Sequence, residues 1–292
     1  MSRFSYIRPN SLTEALELLA DPSCRSKLLA GGTELLVFLH HQEGPQYDRL
    51  IDISRLDELK TIQRSGDIIT LGGAATFTEV EHSPLVAGAA PFLVAACHSV
   101  GSLQIRNQGT LGGNVVNAAA CADSLPALVC LGAEAHLASC RGQRSLPVEE
   151  LVLRPNRTQL EPDEILTHFT FPIPPQGAQT AFIKLGRRNA QSISRLSMAV
   201  LGRLDGAGRV DLVRITPGAA TPRTTRFTAA EDLLLGQPVS AAGLAAAAHK
   251  TAEIMLSITG QRWSTEYKEK AIVALAEQAL QRVFLDGQAN PV

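Results

Sequence analysis

Residues 27–40 read KLLAGGTELLVFLH: an apolar, strand-like piece, two glycines and a threonine, then a helical run. A glycine-bordered turn at a helix N-terminus exposes N–H groups that have no intrahelical partner, which suits a phosphate group. It suits an ordinary tight connection equally well. A second segment, GTLGGNVVN at 109–117, repeats the pattern, setting Gly-Gly beside a threonine and asparagines. Two such segments, some eighty residues apart, can face each other as successive nests of N–H groups. Thr33, Thr110 and Asn114 then serve as side-chain donors, an arrangement that suits a pyrophosphate. The order strand, glycine turn, helix at 27–41 places this work in a mixed α and β fold.

Neither segment follows G-x-G-x-x-G or G-x-x-x-x-G-K-[ST], so the Rossmann and P-loop readings lack their residues. No Lys or Arg adjoins either Gly-Gly. The diphosphate is therefore expected to be held mostly by dipoles and hydrogen bonds instead of opposite charge, as for a dinucleotide that stays bound and is never cleaved.

The 292 residues, 45% hydrophobic and 19% charged, suffice for two or three domains with cores of their own. A net charge of -1 and a pI near 6.7 leave no basic excess for nucleic acid or an anionic membrane. Small molecules or proteins are the expected partners. The N-terminus shows no apolar secretion core and no run reaches the length of a membrane span, so a cytoplasmic location is expected. Five cysteines, Cys24, Cys97, Cys121, Cys130 and Cys140, include no C-x-x-C pair. They read as reduced thiols without a metal role, and Cys97, Cys121 and Cys130 as small buried hydrophobes.

Ser11 and Glu14 form a capping-box pattern ahead of the stripe Leu12, Ala15, Leu16, Leu19, which predicts a helix over 11–20. A strand at 27–30, a helix at 33–41, a strand at 49–54 and a hairpin turning at Ser65-Gly66-Asp67 follow. TFTEVEHSP and LVAGAAPFLVAACHSV read as two helices, and 101–118 as a long loop. Asp123 is placed to cap a helix at 124–132 with Pro126 in its first turn. Strands at 134–139 and 164–173 precede PIPPQGAQ (172–179), a proline-rich linker. Beyond it the pattern predicts three strands (181–188, 196–205, 209–218) and helices near 228–235, 240–256 and 265–285. The expected division is 1–57 and 58–176 as two halves of a binding unit, and 178–292 as a separate C-terminal domain.

LLAGGTELL, QIRNQGTLGGNVVNAAACADSLPAL and KLGRRNAQSIS together resemble the FAD-binding subunit of the molybdenum hydroxylases. That group contains xanthine dehydrogenase, carbon monoxide dehydrogenase and related aldehyde or aromatic hydroxylases. The likeness spans essentially the whole chain, and QIRN followed by GGN and ADS looks most like the flavin subunit of bacterial three-subunit xanthine dehydrogenases. The resemblance implies an α+β flavoprotein fold of the vanillyl-alcohol-oxidase (PCMH) type, in which two α+β subdomains clasp FAD. An α+β C-terminal domain of antiparallel sheet and helices follows, like that of the CO dehydrogenase flavoprotein.

The family's first loop wraps the FAD pyrophosphate, and its matching positions are Leu29, Ala30, Gly31, Gly32, Thr33, Glu34 and Leu35. The second loop implies Thr110, Gly112, Gly113, Asn114 and Asn117 as further contacts. Asp123 matches a residue that accepts a hydrogen bond from the adenosine ribose, Leu166 an apolar residue near the flavin end, and Lys184 the lysine beside the isoalloxazine ring. Each has a plainer reading beside it: Asp123 as a helix cap, Lys184 as a surface strand lysine, and Gln104, Arg106 and Asn107 as a structural turn. Where the family often has Asp before Ile-Ser, this sequence has Ser192. The extra cysteine-bearing insertion of some relatives is missing, so no iron–sulfur cluster and no metal is expected on this chain.

The sequence has no G-x-S-x-G and no H-E-x-x-H, and His40 and His41 point about 100° apart on a helix. No side chain is assigned a catalytic role, and chemistry is left to the flavin. The resemblance implies a molybdopterin-bearing large subunit and a [2Fe–2S] small subunit as partners, with NAD+ as acceptor. The competing readings are a stand-alone flavin oxidoreductase of the same fold and an assembly protein that has lost FAD.

Overall fold

The structure, a computed structural model, describes residues 4–41 and 46–286. The expected domains 1–57 and 178–292 also take in residues 1–3, 42–45 and 287–292, which lie outside the described residues.

Three short strands open the chain: β1 (Ser5–Ile7), β2 (Ser26–Leu29) and β3 (Arg49–Asp52). They form a sheet of order β1-β3-β2 in which both pairings are parallel. Parallel neighbours need crossovers, and the helices Leu12–Ala20 and Leu35–His41 provide them. Ser11 caps the first of these by accepting from the Glu14 amide. The Glu14 carboxylate, however, accepts from the Asn10 amide at 2.7 Å instead of that of Ser11, so the predicted box closes one residue early. Ala15 and Ile51 are fully buried between helix and sheet. All three strands end at one edge of the sheet, which collects the loops after Ile7, Leu29 and Asp52.

The second layer holds β4 (Ile62–Ser65), β5 (Ile68–Gly72), β6 (Glu134–Ser139), β7 (Gly142–Pro147), a small ribbon of β8 (Val152–Arg154) and β9 (Arg157–Thr158), and β10 (Ile165–Pro172). The main sheet is antiparallel with order β4-β5-β10-β6-β7. Its inner face carries Ile69, Leu71, Ala135, Leu137, Phe169 and Phe171 into the largest core cluster. The segment expected as one helix over 85–100 is two, Pro84–Ala89 and Pro91–His98, because Pro91 lacks the N–H that a continuous helix would need and begins a new one. The expected loop at 101–118 also contains helices, Leu103–Arg106 and Leu111–Asn117, capped by the hydroxyls of Ser102 and Thr110. Glycine content hid the second from the sequence pattern.

The third sheet is antiparallel: β11 (Gln179–Leu185), β12 (Leu196–Leu204) and β13 (Val210–Gly218). Residues 196–202 of β12 are buried on both faces. Leu196, Met198 and Val200 meet the helices Ala241–Thr259 and Thr265–Phe284, whereas Ala199 and Leu201 join the core of the second layer. The fully buried helix Ser124–Leu131 seals that junction. Glu231, 2% exposed, anchors the C-terminal unit: it accepts from the Ile215 amide at 2.8 Å and pairs with Arg226. Glu231→Ala strands both donors and is expected to lower stability by about 2–3 kcal/mol, measured by urea unfolding.

Candidate functional site

The first glycine segment leaves the C-terminal end of β2 at Leu29 and turns through Ala30–Glu34 into the helix Leu35–His41. Gly32 takes φ +71°, a left-handed backbone that favours glycine. Gly31 is required for a different reason: a Cβ there would lie 1.9 Å from the Gln108 carbonyl oxygen and 2.9 Å from Gly109 Cα. The first segment therefore lies directly against the peptide that leads into the second. Hydrogen bonding within the turn begins only at Leu36, whose amide reaches the Gly32 carbonyl at 3.0 Å. The amides of Gly31, Gly32, Thr33, Glu34 and Leu35 have no acceptor among the described residues. Five successive unpaired donors need water or an anion.

The second segment does not supply a matching nest. The Leu111 amide donates to Ala75 and the Gly112 amide to Gly73, both at 2.9 Å. The Gly113 amide donates to the Thr110 hydroxyl at 3.0 Å. Its donors are spent on fixing the helix, and Gly112 is there for packing, since a Cβ would sit 2.4 Å from the Gly73 carbonyl. Asn114 Oδ1 accepts from Ser124 Oγ at 2.7 Å, which ties this helix to the next. Asn117, at the end of the helix, is partly exposed.

Between the segments lies a cleft of about 550 Å³ whose lining includes Gly31, Thr76, Thr78 and Thr110. Arg8, Arg55 and Lys60 also line it, cations that the sequence next to either Gly-Gly does not contain. They are remote from either Gly-Gly in sequence. A signal existed nonetheless: Arg8 follows β1 and Arg55 follows β3, and loops at the carboxyl ends of parallel strands converge at one edge.

Asp123 and Lys184 meet. Asp123 makes no side-chain cap bond to the helix that follows it. Its Oδ2 accepts from Lys184 Nζ at 2.7 Å and its Oδ1 from the Ser194 hydroxyl. Lys184 Nζ donates also to the Ser99 carbonyl at 2.8 Å. The carboxylate expected to face a ribose is thus directed into a buried ion pair, and Lys184 is no surface lysine. Burial pushes the Asp123 carboxyl above its usual range, against the pull of Lys184 and Ser194. The pair joins the second layer to the third, and Glu34 of the first segment is close enough to act electrostatically on Cys121, two residues from Asp123.

Leu166 is 6% exposed and belongs to the core, its carbonyl set against Gly73 behind the second segment. Arg106 pairs with Glu81 at 3.0 Å, and Asn107, which also lines the cleft, accepts from Thr78 at 2.7 Å. Ser192 donates to the Arg188 carbonyl at 3.0 Å within an exposed loop whose Ile193 is 76% accessible. Cys97 and Cys130 are buried and their thiols are pushed up, Cys130 to about 12, as inert hydrophobes.

Residues 2–174 match the FAD-binding domain of molybdopterin dehydrogenases, and 181–283 the C-terminal domain of the CO dehydrogenase flavoprotein. The xanthine dehydrogenase FAD-binding subunit of Escherichia coli O157:H7 is 34% identical over 278 residues, 94% of either chain. The chain belongs to the FAD-binding (medium) subunits of the molybdenum hydroxylases. The structures agree with this family. Carbon monoxide dehydrogenase from Hydrogenophaga pseudoflava, in a form lacking the Mo-pyranopterin moiety, superposes with a TM-score of 0.89 at 29% identity, covering 98% of both chains. Quinoline 2-oxidoreductase from Pseudomonas putida 86 gives 0.85 at 30% identity, again over 98% of both. The FAD-binding subunit is an oxidoreductase component whose cofactor is FAD, and its α+β fold is that of these flavoproteins. Five successive amides without an acceptor among the described residues fit a diphosphate that approaches the backbone closely. No described helix is long and apolar enough to cross a membrane.

Proposed function

We propose that this FAD-binding subunit passes electrons within a xanthine-dehydrogenase-like complex, from [2Fe–2S] clusters of a small subunit to NAD+, with the molybdopterin centre on a large subunit. The observation that carries the reading is the run of five amides, Gly31–Leu35, without an acceptor among the described residues, in a turn that Gly31 packs against Gln108 beside the cleft that Thr110 lines. FAD held there would supply the exchange between one-electron and two-electron carriers.

The chain's own residues bind and position. Gly31, Gly32, Thr33, Glu34 and Leu35 offer amides to the diphosphate, with Leu29 and Ala30 setting the turn. Thr110, Gly112 and Gly113 fix the facing helix, while Asn114 and Asn117 present side-chain amides. Lys184, held by Asp123 and Ser99, stands as the cation for the flavin end, and Leu166 backs the second segment. Asp123 acts by positioning Lys184. Partner subunits fit the names of the relatives, which are subunits of larger complexes. Trp263, 91% exposed at the start of the last helix, offers them an apolar contact. A cytoplasmic place suits a partner that is an NAD+-reducing complex.

Anaerobic addition of NADH to the FAD-loaded chain tests the acceptor. Bleaching of the flavin band within seconds is expected. A flavin that stays oxidised under NADH, yet is reduced when the partner subunits and substrate are supplied, would replace NAD+ by another acceptor.

A further inference from the structure

Three cations line the cleft between the glycine segments, and they differ in their commitments. Arg8 is taken: it pairs with Asp52 at 3.0 Å and donates to the Tyr6 hydroxyl at 2.7 Å. Arg55 and Lys60 have no ion-pair or side-chain hydrogen-bond partner among the described residues, although both line the cleft. The one carboxylate in that lining, Glu79, is itself occupied, accepting from the Thr76 amide at 2.7 Å and the Thr76 hydroxyl at 2.9 Å. Other arginines of the chain are neutralised by carboxylates, as in Arg49–Asp21, Arg144–Glu164 and Arg226–Glu231.

The cleft therefore sets two uncompensated cations, an exposed Arg55 and a half-buried Lys60, on one lining with Gly31, where the run of unpaired amides begins. Unpaired donors and unpaired positive charge around one cavity are matched by a compact dianion that reaches both. The first segment offers such a group amide dipoles, held in place because Gly31 packs without a side chain on the Gln108 backbone, but those dipoles carry no net charge.

We propose that Arg55 and Lys60 are a charge clamp for the diphosphate bridge of FAD, working with the amides of Gly31–Leu35. The proposal rests on the FAD reading above and adds a role for two residues that neither glycine motif contains. It makes the adenosine-diphosphate half of the cofactor the electrostatically held half. Binding of FAD, and of ADP alone, should then weaken as salt rises, whereas riboflavin, which carries no phosphate, should bind without this dependence.

Calorimetric titration of the full apo-chain with FAD, ADP and riboflavin at low and high ionic strength tests it. Arg55→Gln and Lys60→Gln are each expected to weaken both FAD and ADP about tenfold at low salt, to flatten the salt dependence, and to leave riboflavin unchanged. Lys60→Arg should restore most of the loss. Wild-type affinity for FAD and ADP in both Gln variants would overturn the clamp while leaving the FAD reading intact. Failure of the wild-type chain to bind FAD at all would remove that reading itself. If a variant proves unstable, the wild-type salt titration decides: FAD and ADP affinities indifferent to ionic strength contradict the clamp.

Discussion

Gly31→Ala leaves the chain unable to retain FAD. The added methyl carbon would sit 1.9 Å from the Gln108 carbonyl oxygen and 2.7 Å from its carbon, both backbone atoms that cannot swing aside. The first segment must then lift off the second, displacing the turn whose free amides, Gly31–Leu35, need to act together. Overpacking of this kind costs about 1–3 kcal/mol in stability. Loss of aligned donors adds to it in binding, so FAD affinity is expected to fall by about a hundredfold or more. Titration followed by flavin fluorescence measures this, with Gly206→Ala as the control, because Gly206 has open space around its Cβ position. Equal FAD affinity in Gly31→Ala and wild type would dissolve the two-segment site.

Lys184→Met is expected to have the largest effect on stability. It removes the ammonium from Asp123, whose side chain is 6% exposed, and leaves a buried carboxylate with the Ser194 hydroxyl as its remaining side-chain donor. Breaking such a pair costs about 3–5 kcal/mol. The pH dependence follows from the sign of the shift. Burial already raises the Asp123 carboxyl, and without Lys184 it rises further. The variant keeps its stability below the ordinary carboxylate range, where Asp123 is protonated in both states, and loses it as pH rises through the raised folded value. Adding Asp123→Asn to Lys184→Met should recover much of the loss at neutral pH. A double variant no more stable than Lys184→Met would show that the pair is not what holds the second and third layers together. The same pair would set the position of Lys184 at the flavin end, so the single variant should also change how readily FAD is reduced.

Much of this was legible in the chain, and the exceptions share a cause. LLAGGTE was readable because strand, turn and helix signals coincide within a dozen residues, and the structure places a left-handed Gly32 and five unpaired amides there. LLAGGTE and TLGGN look alike in sequence yet behave differently. In TLGGN the Thr110 cap and the backbone of Gly73 and Ala75 consume the donors, a fact set by β5 and the turn after it, some forty residues earlier. The helix Leu111–Asn117 was hidden because its glycines carry poor helix propensity and tertiary packing outweighs them. Asp123 illustrates the same limit: capping and ribose binding were the local possibilities, whereas its partners lie 61 and 71 residues away. Arg55 and Lys60 could have been suspected only from strand order. The substrate was never legible here. Relatives of similar length are named for xanthine, carbon monoxide and nicotinate, so what is oxidised varies while this fold does not.

The central claim is that the meeting of the two glycine segments makes a site for FAD. The purified chain, incubated with FAD and freed of excess by gel filtration, tests it through its visible spectrum. A flavin band that travels with the protein at one FAD per chain is predicted. A chain that elutes folded and colourless after the same treatment would contradict it.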